Sequence, residues 1–127
     1  MRYYSDDQIE YGKDKITTDI GVLDIDIVSI TDTCCMKFSA GTTGFKGGDS
    51  GHGSRTTICI QDIGGSDIRI KDKTDMTNFS NGSVAIAVGG DAELRLLIDG
   101  LRWMADTLEN KANIEKIKKV QKSIGIV

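Results

Sequence analysis

Six glycines fall within thirteen residues, from Gly41 to Gly53, and Phe45, Lys46, Asp49, Ser50 and His52 stand among them. Arg55 and Thr56 follow directly. Glycine exposes its N–H and accepts positive φ, so successive amides of such a run can form a concavity for an anion. A cation, hydroxyls and an imidazole beside those amides suit a phosphate or a nucleotide, and Phe45 is placed to stack on a base. The plain structural alternative is a flexible or tightly turned hairpin loop. Loops of this length between strands more often carry function.

Three sharper readings of the segment fail on spacing. It contains no G-x-x-x-x-G-K-[ST], and no helix is predicted after it, so it is not a phosphate-binding P-loop. A dinucleotide-binding glycine motif would open a helix, whereas the alternation Thr56, Ile58, Ile60 predicts a strand here. Gly48-Asp49-Ser50-Gly51 matches the tetrapeptide around the nucleophile of trypsin-like proteases. A catalytic triad needs its base to approach from a separately placed element, and the sole histidine is His52, two residues away. The chain is also far shorter than that fold, and we read the match as coincidence.

One histidine and three cysteines, Cys34, Cys35 and Cys59, do not make a metal site or a disulfide framework. The cysteines read as small buried apolar residues in a reducing cytosol. No cofactor is expected. A further reading is a small nucleotide hydrolase that uses His52 and Asp49. On the predicted C-terminal helix, Arg95 and Asp99, and Arg102 and Asp106, are four apart, the spacing of solvated ion pairs. Arg102-Trp103 is the second candidate ligand surface, because guanidinium and indole both stack on purines.

The elements that must position these groups read in chain order. The polar first 14 residues predict an N-terminal arm. Residues 15–88 carry the β pattern. Leu23, Ile25 and Ile27 alternate with Asp24 and Asp26, and the parity slips at Val28 and Ile30, which predicts a bulge or strand end. Thr31-Asp32-Thr33 predicts a turn into a strand carrying Cys34, Met36 and Phe38. Strands follow at Thr56–Ile60, at Ile68–Ile70 and at Val84–Val88, with a polar loop from Lys71 to Gly82 that holds Phe79. A helix starts at Asp91, a good N-cap, with a stripe of Leu94, Leu97, Ile98, Leu101, Met104 and Leu108. A second helix is predicted over Ala112 to Ser123, so 91–124 holds two helices. Strands first and helices last predict one α+β domain over 1–127. It would be an antiparallel sheet of five to six strands with two C-terminal helices packed on it.

The 127 residues carry a net charge of −3, which excludes a general binder of long nucleic acid but not of a small anion. No apolar run reaches the ~20 residues of a membrane span, and the N-terminus lacks a signal-peptide pattern, so a cytoplasmic location is expected.

Gly44-Phe45-Lys46-Gly47-Gly48-Asp49-Ser50-Gly51-His52-Gly53-Ser54-Arg55-Thr56, followed much later by Gly89-Gly90-Asp91-Ala92-Glu93-Leu94, resembles the Thoeris anti-defence family. These are phage proteins that sequester nucleotide immune signals. The size and the strands-then-helices order are similar as well. The resemblance implies a homo-oligomer in the host cytoplasm that binds cyclic ADP-ribose-type signals, or cyclic di- or trinucleotides, without cleaving them, in pockets at a dimer interface. It is thus not expected to be an enzyme. The family holds its ligand with an aromatic, an arginine and polar groups. Phe45 or Phe79, Arg55, and Arg102 with Trp103 would take those parts, with Gly48, Ser50, His52 and Thr56 from the loop. The alternative is a small phage or bacterial inhibitor that binds a host protein through the acidic arm and the exposed loop.

Overall fold

A computed structural model describes residues 1–71 and 79–112. The chain divides into two compact units, residues 1–94 and 95–127, and each is described by itself.

The first unit is a five-stranded antiparallel sheet in which the first four strands lie side by side in chain order and the last strand of the chain follows the fourth. Strand β1 spans Ile9–Thr18 and β2 spans Gly21–Thr31. They pair from Ile9 opposite Ile30 to Thr18 opposite Gly21, so the connection has only Asp19 and Ile20 between paired residues. Thr18 Oγ1 donates to the Gly21 carbonyl (2.7 Å) and accepts from the Ile20 amide (3.2 Å), which closes the turn. Strands β3, Cys35–Thr42, and β4, Arg55–Gly64, pair next, and residues 43–54 form the long connection between them. Strand β7, Val84–Gly89, adds to β4 from Arg55 opposite Gly89 to Ile60 opposite Val84. Between them β5, Arg69–Lys71, and β6, Phe79–Asn81, make a separate two-stranded hairpin. The helix α1 spans Asp91–Lys111, and its first turn belongs to the first unit.

The α+β reading holds, and three expectations change. The first 14 residues are not an arm: after a single turn of 3₁₀ helix at Asp6–Gln8 the chain enters β1 at Ile9. That strand has no apolar alternation to reveal it. It is matched by charge instead, with Lys13 against Asp26 (2.9 Å) and Lys15 against Asp24 (3.3 Å). The parity slip in β2 is neither a bulge nor an end. The register runs unbroken to Thr31, and Val28 and Ile30 point to the face opposite Leu23, Ile25 and Ile27. The irregularity lies in the β3–β4 pairing, where Cys35 and Met36 face Gly64 and Asp62 and Ile63 of β4 is the extra residue. Cys34, read as a buried residue, is exposed, and Cys35 and Cys59 are half-buried; all three are free thiols. Among the described residues there is one α-helix, and the second helix expected over Ala112 to Ser123 lies outside them, save its first residue.

The apolar interior is small. Leu23, Ile25 and Leu94 are the buried apolar residues among those described.

Candidate functional site

The glycine-rich connection is closed at its base by Thr43 and Arg55. The Thr43 amide donates to the Arg55 carbonyl (2.9 Å), and the Arg55 amide donates to Thr43 Oγ1 (3.0 Å). Beyond that base the loop has no ladder of its own. Its amides go to carboxylates from the first turn of α1, about forty residues away in sequence.

Asp91 is the centre of this arrangement. Its Oδ1 accepts from the amides of Ser54 (2.9 Å) and Lys46 (3.2 Å), and its Oδ2 from the amides of Gly47 (2.7 Å) and Lys46 (3.2 Å). Glu93 takes the amide of Ser50 at 2.7 Å through Oε2. Asp49 reaches the other way, its Oδ1 accepting from the Ala92 amide (2.7 Å) at the start of the helix. Loop and helix therefore cap each other. Asp91, expected to cap its own helix, caps the loop, and Asp49 does the helix capping in its place. Backbone pairs complete the contact: Asp91 N–H to the Gly48 carbonyl (2.8 Å), Gly90 N–H to Ser54 (2.8 Å) and Gly51 N–H to Gly89 (2.7 Å).

The electrostatics follow from these bonds. Burial pushes the Asp91 carboxyl up, but the amides of Gly47, Lys46 and Ser54 more than offset this and hold it below the ordinary aspartate value. Arg55 is also filled. Its Nε and Nη2 form a fork on Asp19 (2.8 and 3.0 Å), and Nη1 and Nη2 donate to the carbonyls of Gly53, Ser54 and Gly51. These are five bonds for the five N–H groups of a guanidinium. The hydrogen bond from Arg55 is the main cause that lowers the Asp19 carboxyl. The two-residue β1–β2 turn is what brings Asp19 to Arg55.

Two glycines are required by this geometry. A Cβ on Gly53, at φ +92°, would stand 2.5 Å from the Gly48 carbonyl oxygen and 2.8 Å from Asp91 Oδ1. On Gly90, at φ +130°, it would meet the Glu93 carboxylate and the Ser50 amide at 2.7 Å. Ser50 holds φ 52° with a side chain, an uncommon backbone for any residue but glycine.

The residues singled out from the sequence thus divide. Gly48, Arg55 and Thr56 hold the loop's shape. Thr56 is buried and shares a hydrogen bond with Thr42 (2.8 Å between hydroxyl oxygens). The amides offered to an anion carry the helix's own carboxylates, and an incoming phosphate would have to displace one. Ser50 and His52 are exposed on the same loop, and Phe45 is 59% exposed. Phe79 begins β6, outside the main sheet. Arg102 and Trp103 are exposed on α1, in the second unit. Sequence reasoning missed Asp91, Glu93 and Asp19 as partners of the loop. The signal present was Gly-Gly-Asp-Ala-Glu at 89–93, acidic residues at a helix start, which has many simpler meanings. Among the described residues no group of three or more His, Cys, Asp or Glu side chains is placed to hold a metal ion, and no helix is long and apolar enough to cross a membrane. No family model, curated protein or solved structure matches the chain.

Proposed function

We propose that the chain is a binding protein that works as a homo-oligomer and sequesters a small anionic ligand, a cyclic nucleotide signal of the cyclic ADP-ribose or cyclic oligonucleotide type, without reacting with it. The observation behind this reading is the cross-capped loop. Carboxylates and a guanidinium that could do chemistry are engaged in fixing a backbone, and the fixed backbone displays Phe45, Ser50 and His52 outward. A surface set in advance loses little entropy on binding. The ligand class rests on the resemblance of the two glycine motifs to the Thoeris anti-defence sponges. In this form the reading gives ligand contact to the exposed side chains Phe45, Ser50, His52, Arg102 and Trp103 and to Phe79 of β6, and gives loop support to Gly48, Arg55 and Thr56.

Calorimetry against cyclic ADP-ribose isomers and cyclic di- and trinucleotides tests it, with the mass of any nucleotide released on heat denaturation. Saturable binding of one class, with the ligand recovered intact, is expected. Failure of all of them to bind removes the reading, and recovery of a cleaved product replaces it with a hydrolase.

The second reading, an inhibitor that binds a host protein, draws on α1. Leu96, Trp103 and Leu108 are each about two-thirds or more exposed, and exposed tryptophan and leucine suit a protein interface better than solvent. A single stoichiometric partner recovered from host lysate, with no nucleotide bound, would favour it.

A further inference from the structure

We propose that β7 pairs edge to edge with β7 of a second copy, joining the two five-stranded sheets into one. This deepens the homo-oligomer of the reading above and rests on that part alone, not on the ligand.

Among the described residues the sheet has two open edges, β1 and β7. They are built differently. Strand β1 carries Glu10, Lys13, Asp14 and Lys15, and charge on an edge discourages pairing. Antiparallel self-pairing of its middle also sets like charges opposite. Centred on Lys13 it opposes Lys13 to itself; centred on Asp14 it opposes Lys13 to Lys15; centred on Gly12 it opposes Glu10 to Asp14. Strand β7 reads Val84-Ala85-Ile86-Ala87-Val88-Gly89, with no charge, no proline and no bulge in its pairing to β4.

The direction of its free main-chain groups follows from two hydrogen bonds. Gly90 N–H donates to the Ser54 carbonyl, on the β4 side. The Gly89 carbonyl, on the opposite side of the same peptide, therefore points away from β4, and it accepts from Gly51 N–H at 2.7 Å. Alternation along the strand then aims the N–H and C=O of Ala87 and Ala85 outward, while Val84, Ile86 and Val88 face Ile60, Ile58 and Thr56. The glycine-rich loop takes the Gly89 carbonyl, and in the middle of the strand the outward groups are the four of Ala85 and Ala87.

A two-fold axis through Ile86 satisfies all four. Ala85 of one copy stands opposite Ala87 of the other, twice, with two N–H···O bonds in each pair. Ile86 meets its own copy at the axis, and Val84 meets Val88. β-Branched pairs lie on one face, where Ile86 is 44% exposed in the single chain, and small alanines lie on the other. The edge is thus complementary to itself, which is what an isologous interface requires.

Two variants test it in the full chain. Ala87→Pro removes one outward N–H and leaves the β4 ladder intact, a position where an edge strand tolerates proline. Ile86→Cys, with Cys34, Cys35 and Cys59 changed to serine, places one thiol beside the axis. The wild-type protein is expected to have a solution mass of two or more chains by light scattering. Ala87→Pro should weaken the association at least tenfold with the β-sheet circular dichroism retained. Ile86→Cys should form a disulfide-linked dimer under mild oxidant, and Lys13→Cys in the same background should not. If Ala87→Pro does not fold, the cysteine pair decides. An oligomer whose mass ignores Ala87→Pro and whose Ile86→Cys stays uncrosslinked overturns the edge and leaves the oligomer standing. A monomer overturns both. A monomer whose Ala85 and Ala87 amides resist hydrogen exchange would show that another segment of the same chain covers the edge.

Discussion

Asp91 concentrates the physics of the loop in one side chain. It is 7% exposed, charged, and bonded to three amides that have no other partner in the loop. Asp91→Asn keeps the size, but it removes the charge and turns one acceptor into a donor facing N–H groups. We expect the melting temperature to fall by about 5–10 °C. The pH dependence has a fixed sign. The folded carboxyls of Asp91 and Asp19 lie below the ordinary 3.8, so their stabilisation is complete above that value and is lost as pH falls through the lower folded values. Asp91→Asn should flatten the acid limb of a stability profile below the ordinary 3.8. An unchanged limb would mean that the amide bonds do not depend on the charge. Glycine replacement offers a paired comparison in the same loop. Gly44 has φ +76° with open space where a Cβ would stand, so Gly44→Ala should cost about 1 kcal/mol of conformational strain. Gly53→Ala adds a clash with Gly48 and Asp91, and should cost about 2–4 kcal/mol in denaturant unfolding. Equal costs would show that the loop yields freely around Gly53.

Between elements, the contact that matters is reciprocal capping, and its helix side can be cut separately. Asp49→Ala removes the acceptor of the Ala92 amide and leaves Asp91 on the loop. It should lower stability by about 1 kcal/mol, as a lost N-cap does, and fray the start of α1 in amide exchange before the loop. Fraying of both together would show that the two caps act as one unit. The capping also explains what sequence could reveal. Leu23, Ile25, Ile58 and Ile60 alternate, and the strands that carry them were legible for that reason. Strand β1 was not, because Lys13 and Lys15 find Asp26 and Asp24 only after β2 is in register beside them. The helix start at Gly90-Asp91 was legible from composition. The task of Asp91 was not, since its partners Lys46, Gly47 and Ser54 are set by the β4–β7 register, which places Arg55 opposite Gly89. A glycine-rich run announces that its amides are free of a ladder. It does not say whether a ligand or the chain's own carboxylates will take them.

At the scale of the whole molecule, the small apolar interior among the described residues sets a condition on stability. A chain of 127 residues ordinarily buries about two-thirds of the surface its unfolded form exposes. Here the described residues bury Leu23, Ile25 and Leu94, while Val22 and Ile86 on the sheet and Leu96, Trp103 and Leu108 on the helix stay in the open. Hydrophobic burial is the main favourable term in folding, and apolar surface left on one copy is the natural source of it for two. If copies cover one another, folding and association are linked, and stability must rise with protein concentration. Each tenfold increase can add up to about 1.4 kcal/mol, so the melting midpoint should climb by about 3–5 °C per decade. Emission from Trp103, the sole tryptophan, reports on the same linkage, and should shift to shorter wavelength as concentration rises if its indole is among the groups covered. A midpoint that stays constant over a hundredfold range would instead mean that one chain is sufficient for its own stability. The exposed apolar residues would then be free to serve a different partner.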